Sequence, residues 1–591
     1  MSRSTEEIRD ELSEEVPKRP GKFYRGYAVG FLLGALAGTQ VTGLLFFLNP
    51  HLPFDPVPVL SGVGFYGLLL GSASLLLTVL LSRYRRVRAH RWFPIGLTIV
   101  LAAAGLGAWI NASYYAFYLP PGINRRLLKA AIWLTLAALV CFYTAWIHRV
   151  RHRPYGRRSG ILFGLMALAS VYVVMERREA FHPVLRPTPR PTTFQGSRRP
   201  QLYVVGVESA TLDAILPLEE QGRLPFFSKL LREGTYARVK TLRPTRRSAL
   251  WTTLATGKNP YRHGILGDRV FRAPFLSGEA KLYLLPLGLG FQRWGLRNDG
   301  EPIATDARRA RPLWEVLSRL GVSTALVGWP LTAPSAVVPI VISDRFFDAE
   351  GQAEDGQSVE LAERARLFRT EIEEIDPAIV SRFGPQAPEP VLWALSQDIW
   401  RKDLSLFLRD QDPQIEAFFV VLPGLAEVSS RYFGGFSAVQ FRGFRDSESE
   451  HAAQILSAYY MYLDDLLAQL WERVVDPRLL VVVSAHGADG PRGWREALRL
   501  LFRQPAVEGY LDLGADGVLM LLGEGIQPGM MARPADLVDL VPTLLYGLGL
   551  PIARDLDGAV LTQAFKTGFL ARQPLTFLPT YETLAERATR N

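Results

Sequence analysis

The chain of 591 residues contains one cysteine, Cys141. A single thiol excludes an intramolecular disulfide framework, and with it any zinc or iron–sulfur site built on cysteine. Histidine is scarce too, and His182 and His451 have no neighbour at metal-ligand spacing. Ionisable residues are nearly missing from the middle of the longest apolar runs, which leaves no ion or proton pathway and fits poorly with a transporter. No cleavable leader is expected, because the first apolar run is too long and an acidic-basic stretch of roughly 20 residues precedes it. Disorder as the main state is excluded by 12 Trp, 21 Tyr and 32 Phe, enough aromatic surface for a packed core.

Basic residues exceed acidic ones, 67 to 57, for a net charge of +10. The excess does not read as a nucleic-acid surface. Much of it sits in short tracts between apolar runs, Arg83 to Arg88 and Arg149 to Arg158, where basic residues set membrane topology.

Five segments are long and apolar enough to span: Gly26–Leu48, Val57–Leu81, Phe93–Ile110, Leu127–Ile147 and Gly160–Met175. A bilayer core of about 30 Å needs about 20 helical residues, so the fifth needs flanking residues to cross. Lys18, Arg19, Lys22 and Arg25 precede the first span, and five arginines occupy each of the second and fourth connections. The opposite loops carry no basic residue from Asn49 to Pro56, and only Arg125, Arg126 and Lys129 in the other. Positive loops stay in the cytoplasm. The N-terminal segment 1–25 is therefore expected inside, and everything beyond the membrane domain 26–176 outside, periplasmic or extracellular. Were the fifth segment not to cross, the rest would be cytoplasmic. Gly30, Gly34 and Gly38 share one face of the first span and permit close helix approach, within the chain or in a dimer seam. Gln40 and Asn111 read as interhelical hydrogen-bonding residues. Residues 177–199, with Arg186-Pro187-Thr188-Pro189-Arg190-Pro191, read as a stiff extended linker.

From residue 200 to 591 the pattern becomes α/β. Buried-strand runs at Leu202–Val207, Val322–Val327, Ala417–Leu422, Leu479–Val483 and Val518–Leu522 alternate with helical stretches, which predicts a central, mainly parallel sheet covered on both faces. Ligands bind beyond the carboxyl ends of such strands, which points to Glu208, Ala426, Ala485 and His486. Two turn-rich stretches, 268–306 and 347–412, are expected as insertions over the strand ends.

Four collinear blocks carry a family resemblance. They are "LYVVGVESATLDAILPLEEQGRLPFFSKLLREGTYARVKTLRPTRRSALWTTLATGKNPYRHGI", "RPLWEVLSRLGVSTALVGWPLTAP", "VVVSAHG" and "DLVDLVPTLLYGLGLPIARDLDG". Together, over about Pro200 to Leu561, they resemble the type I phosphodiesterase/nucleotide pyrophosphatase family of the alkaline phosphatase superfamily. The resemblance implies a sulfatase-like α/β fold, two divalent metals that clamp an in-line displacement, and a Thr or Ser nucleophile at a helix N-terminus. Carried onto this chain, the pattern fails position by position. The first-strand Asp falls on Glu208, and the nucleophile on Arg247, with Ser248 one place late and Thr245 two places early. The Asp-x-x-x-His pair falls on Ala426 and Ser430, and the Asp-His pair on Ala485 and His486. The last histidine should fall in Tyr510 to Leu513, which has none. Alanine cannot ligate, and a hydroxyl is a poor ligand beside an imidazole. His263 matches a family histidine that is usually structural, and Asp555 and Asp557 belong to a scaffold signature.

Without two dications a buried carboxylate needs another partner. Arg247 or Arg246 can pair with Glu208; alternatively Arg247 points to solvent and Glu208 caps a helix or turn. The expectation is thus a membrane-anchored, catalytically inactive phosphodiesterase-like protein with no metal or other cofactor. It would bind a phosphate- or sulfate-bearing anion through Arg246 and Arg247 at a helix N-terminus, or act as a structural subunit of a membrane complex. Its partners would be membrane lipids, complex subunits and that anion, not nucleic acid. The alternative is a live metal-dependent phosphodiesterase or phosphotransferase acting on lipid head groups or envelope polymers, with Ser248 as nucleophile.

Overall fold

The computed structural model describes residues 21–52, 54–84, 89–176, 200–273, 275, 281–287, 300–332, 338, 340–348, 358–384, 387–443, 446–473, 478–490, 508–511 and 514–582. The expected linker 177–199, most of the N-terminal segment 1–25, and Leu513 lie outside them. The chain divides into two compact units, Met1–His182 with Arg269–Glu301, and Pro183–Asp268 with Pro302–Asn591.

The first unit contains five helices: α1 Gly21–Leu48, α2 Pro56–Tyr84, α3 Ala89–Tyr114, α4 Pro121–Val150 and α5 Arg157–Met175. All five are long and apolar enough to cross a membrane. The short fifth run recruits Arg157 and Arg158 into a helix of 19 residues, about 28 Å at 1.5 Å per residue. Large apolar side chains such as Leu76, Ile99, Trp133, Phe142 and Leu168 point outward from the bundle, a surface that suits lipid rather than water. The glycine face of α1 is filled by α2 of the same chain. A Cβ at Gly34 would stand 2.2 Å from Leu70 O, and one at Gly38 2.4 Å from Tyr66 O. Gln40 Nε2 reaches Ser170 Oγ on α5 at 3.1 Å.

Asn111 has a different role from the interhelical one its position suggests. Its Oδ1 accepts the N–H of Leu287 at 2.9 Å. Segment 269–301 comes from the middle of the α/β sequence, yet it packs in the helical unit. Arg269–Arg272 pairs antiparallel with Lys281–Leu282, and the chain then runs past the C-terminal ends of α1 and α3. There Asn49 hydrogen-bonds Tyr283 and Leu284, His51 Nε2 meets Lys281 O at 2.7 Å, and Tyr115 donates to Leu285 O at 3.0 Å. The cause is apolar matching. Leu282, Leu285 and Ala273 bury against Leu45, Phe46, Leu52 and Tyr66.

The second unit is built on a nine-stranded sheet. Its main strands are β1 Gln201–Val207, β2 Thr235–Lys240, β3 Thr324–Trp329, β4 Ile340–Ser343, β5 Ala417–Leu422, β6 Arg478–Val483 and β7 Gly517–Gly523. Across the sheet they run β2-β7-β6-β1-β5-β3-β4, with short strands Met530–Met531 and Ala535–Asp536 on β2. The six strands other than β7 share one direction; β7 is antiparallel to both neighbours. Side chains alternate across β1 as a strand's period of two requires. Tyr203, Val205 and Val207 join a core with α8 Glu389–Gln411, α9 Gly424–Arg442 and α10 Ser447–Glu472. On the opposite face Trp251, Trp314, Trp329 and Phe419 pack edge-to-face.

Stretch 347–412 departs from its expected irregularity. It contains α8, a 23-residue helix whose Ala394, Leu395, Trp400 and Leu404 belong to the core. The same helix buries two charged residues, Asp398 and Arg401.

Candidate functional site

The site is the carboxyl edge of the parallel strands. β1 delivers Glu208, β4 delivers Asp344, β5 delivers Pro423 and Gly424, and β6 delivers Ser484, Ala485 and His486. An isolated parallel bridge from Ser209 to Gly487 continues the β1–β6 pairing past the strand ends, so Glu208 and His486 emerge side by side. Ser209 takes a left-handed φ of 71° there, a conformation costly for a residue with a Cβ and typical of tight functional turns.

Helix α6, Arg247–Thr256, lays its first turn over this edge. It can do so because Gly206 lacks a side chain: a Cβ there would stand 2.5 Å from the Trp251 ring. The first residue of α6, Arg247, thereby brings its guanidinium to the strand ends. Arg247 Nε donates to Glu208 Oε1 at 2.6 Å, and Nη1 to Asp344 Oδ2 at 2.7 Å. Both carboxylates are buried. Burial opposes the Arg247 charge, but the two carboxylates outweigh it and hold the guanidinium firmly protonated. Of the alternatives left open by the sequence, pairing with Glu208 is the one that forms; its second partner, Asp344, lies in none of the quoted blocks.

A second cation lies nearby. Arg401, on α8, is 2% exposed. Its Nη1 donates to Gln397 Oε1 at 2.8 Å, and its guanidinium stacks 3.8 Å from the Phe347 ring. Gly328, at φ 71°, makes room for it; a Cβ there would stand 2.8 Å from Arg401 Nε. One turn earlier, Asp398 accepts from Gly424 N at 3.0 Å and Tyr459 Oη at 2.8 Å. Burial pushes this carboxyl up to about 6. Asp344, Asp398 and Arg401 escape motif reading because helix and strand placement, not spacing, brings them here. The faint signal was charge: Asp398 and Arg401 sit three apart on an otherwise core-facing stripe.

The remaining candidates are placed as follows. His486 is buried, and its Nδ1 lies 3.1 Å from Gly487 O. That contact requires a proton on Nδ1, leaving Nε2 as the acceptor in the neutral ring. Burial lowers its pKa, offset in part by Gly487 and Glu208. Ala485 is buried beside it. Ala426 and Ser430 lie on α9, with the Ser430 hydroxyl turned back to Glu427 O at 2.7 Å. Ser248 N donates to Asp268 Oδ1 at 2.7 Å. Among the described residues no base hydrogen-bonds the Ser248 hydroxyl. Thr245 donates to Leu511 O. Arg246 is the N-cap residue of α6. His263 is buried between Thr253 Oγ1 at 3.0 Å and Ile265 N at 3.2 Å. Asp555 and Asp557 tie down Lys258 and Arg262.

Two dications do not fit this donor set. Among the described residues no three His, Cys, Asp or Glu side chains stand together to hold a metal. The two carboxylates that do converge are already bridged by Arg247. Ala426 and Ala485 offer no donor atom. A carboxylate–guanidinium–carboxylate bridge can hold a helix end over a sheet.

The model of the type I phosphodiesterase/nucleotide pyrophosphatase family matches residues 202–494. Among solved structures, phosphonate monoester hydrolase SpPMH from Silicibacter pomeroyi is similar, with 14% identity and a TM-score of 0.35, over 62% of this chain and 76% of that one. Among curated proteins nothing matches the chain.

Proposed function

We propose that this α/β domain of the type I phosphodiesterase/nucleotide pyrophosphatase family works without hydrolysis, as the binding or structural part of a membrane-anchored protein. The observation that carries the reading is the occupant of the nucleophile position. A phosphoryl-transfer site needs an activated oxygen and positive charge aimed at the transferring group. Arg247 supplies no oxygen, and its charge is directed at Glu208 and Asp344. Ser248 lacks a base among the described residues and would remain a weak nucleophile.

A phosphate- or sulfate-bearing ligand at the α6 N-terminus would draw on Arg246 and the helix dipole. Arg247 contributes less to such a ligand than its position in the sequence suggests, because its charge is already balanced. The helical unit offers the other contact, toward lipids or subunits of a membrane complex.

The reading includes the side of the membrane. The arginine-rich connections are cytoplasmic, and the α/β domain is periplasmic or extracellular. An odd number of spans agrees with the place of residues 281–287, which Asn49 and Asn111 hold at the C-terminal ends of α1 and α3.

The test is turnover by the purified full-length protein of an aryl phosphodiester, an aryl phosphate and an aryl sulfate, with zinc or manganese supplied. No turnover is expected. Metal-dependent turnover that disappears in Ser248→Ala would establish the hydrolase instead.

A further inference from the structure

We infer that Arg247 is a tethered replacement for a divalent cation, seated between Glu208 and a second carboxylate, Asp344, that completes the seat. The inference rests on the non-hydrolytic reading of this site and adds what took the place of the lost charge.

Glu208 and Asp344 end strands β1 and β4, which are separated in the sheet by β5 and β3. Nothing in local sequence brings them together; the parallel sheet releases both on one edge, and the guanidinium bridges them. Two different nitrogens of one side chain, Nε and Nη1, each take one carboxylate, at 2.6 and 2.7 Å. The carboxylates are 5% and 8% exposed by residue, so each needs a positive partner in place of water. A planar guanidinium presents its donors at fixed angles, and here two of them each meet one carboxylate. Arg401, buried on Phe347, adds a second fixed positive charge beneath the helix that begins with Asp344. The pocket thus keeps the carboxylates of a cation site and fills it from the chain itself.

Removing the Arg247 side chain should leave two buried carboxylates facing a vacated space, which a free cation can fill. The experiment is titration of the detergent-solubilised full-length protein with Mn²⁺ alone, read by calorimetry and by the Mn²⁺ paramagnetic resonance signal. The wild type should show no such site. Arg247→Ala should bind one Mn²⁺ per chain, at least about tenfold tighter than wild type, in the weak range expected of a two-carboxylate site. Adding Asp344→Asn to that variant should abolish the binding. If Arg247→Ala is recovered unfolded, the readout becomes its folded yield with and without Mn²⁺, which should rise with the ion. Three results overturn the inference: wild type binding Mn²⁺ as tightly as the variant, a folded variant that binds none, or an unfolded variant that Mn²⁺ fails to rescue. Hydrolysis by a wild type that binds no Mn²⁺ would sink the non-hydrolytic reading while leaving the tethered cation standing.

Discussion

Asn49 and Leu284 exchange two hydrogen bonds across 235 positions of sequence: Leu284 N donates to Asn49 Oδ1 at 3.1 Å, and Asn49 Nδ2 donates to Leu284 O at 2.8 Å. Asn49 is fully buried, at the end of the first apolar helix. Its amide reads the backbone of segment 281–287 as a neighbouring strand would. Replacing it by leucine removes the partner of Leu284 N and Leu284 O, at about 1–3 kcal/mol for each buried group. Amide exchange at 283–287 should accelerate in Asn49→Leu, while exchange in β1 stays unchanged. Equal protection in mutant and wild type would contradict the role assigned to Asn49.

Helix α1 meets α2 through its glycines. Gly38→Leu should block folding in detergent, since even a Cβ has no space beside Tyr66, and overpacking costs about 1–3 kcal/mol or more. Gly64 has nothing within 4 Å of its Cβ position, so Gly64→Ala should be tolerated. Monodispersity on size-exclusion chromatography separates the two.

His263 should make the α/β unit acid-sensitive. Burial, with the Arg308 charge adding to it, lowers its pKa from 6.5 to about 3. A folded-state pKa below the unfolded one gives stability that is present above pH 6.5 and is lost as pH falls toward 3. The loss is about 3 kcal/mol by pH 4. In His263→Gln, which keeps a donor for Thr253, thermal stability should fall less steeply between pH 6.5 and 4 than in wild type.

Asp398 has the opposite sign. Its folded pKa of about 6 lies above the ordinary aspartate value of 3.8. Its contribution is present below the lower value and is lost as pH rises through about 6, at about 3 kcal/mol in full. Asp398→Asn should therefore gain on wild type as pH goes from 4 to 7. A melting-temperature difference that does not change across that range would contradict the assignment.

Topology can be checked by cysteine labelling in a Cys141→Ala background. Phe117→Cys, in the turn after α3, should react with an impermeant maleimide in intact cells. His152→Cys, between α4 and α5, should react only after permeabilisation. The reverse pattern would invert the orientation.

Much of this was legible in sequence because it depends on short-range pattern. The five helices follow from runs of apolar residues, and the strand tails from β-branched runs bounded by polar residues. Arg247, Trp251 and Thr256-Gly257 could be read together because they belong to one helix and its C-cap. What was misjudged was non-local. Stretch 347–412 lacks strong periodicity, yet α8 forms there because the sheet supplies an apolar face to pack on. Val518–Leu522 reads like its parallel neighbours, yet β7 runs antiparallel, since strand direction is decided by the connection and not by composition.

The sequence alone therefore determined which side chains are on offer: Ala426 and Ala485 carry no donor atom, Arg247 carries no hydroxyl, and histidines are few. It also determined that the first third is apolar enough for a membrane. Only tertiary structure decided which partners Arg247 meets. Asp344 and Glu208 are 136 positions apart, and nothing in either neighbourhood marks them as partners. They meet because β1 and β4 run parallel in one sheet and release their carboxyl ends on the same edge, where the first turn of α6 brings a guanidinium between them. Segment 269–301 likewise belongs by chain order to the α/β region and by packing to the helices. Apolar burial and the satisfaction of its backbone amides by Asn49 and Asn111 settle that choice.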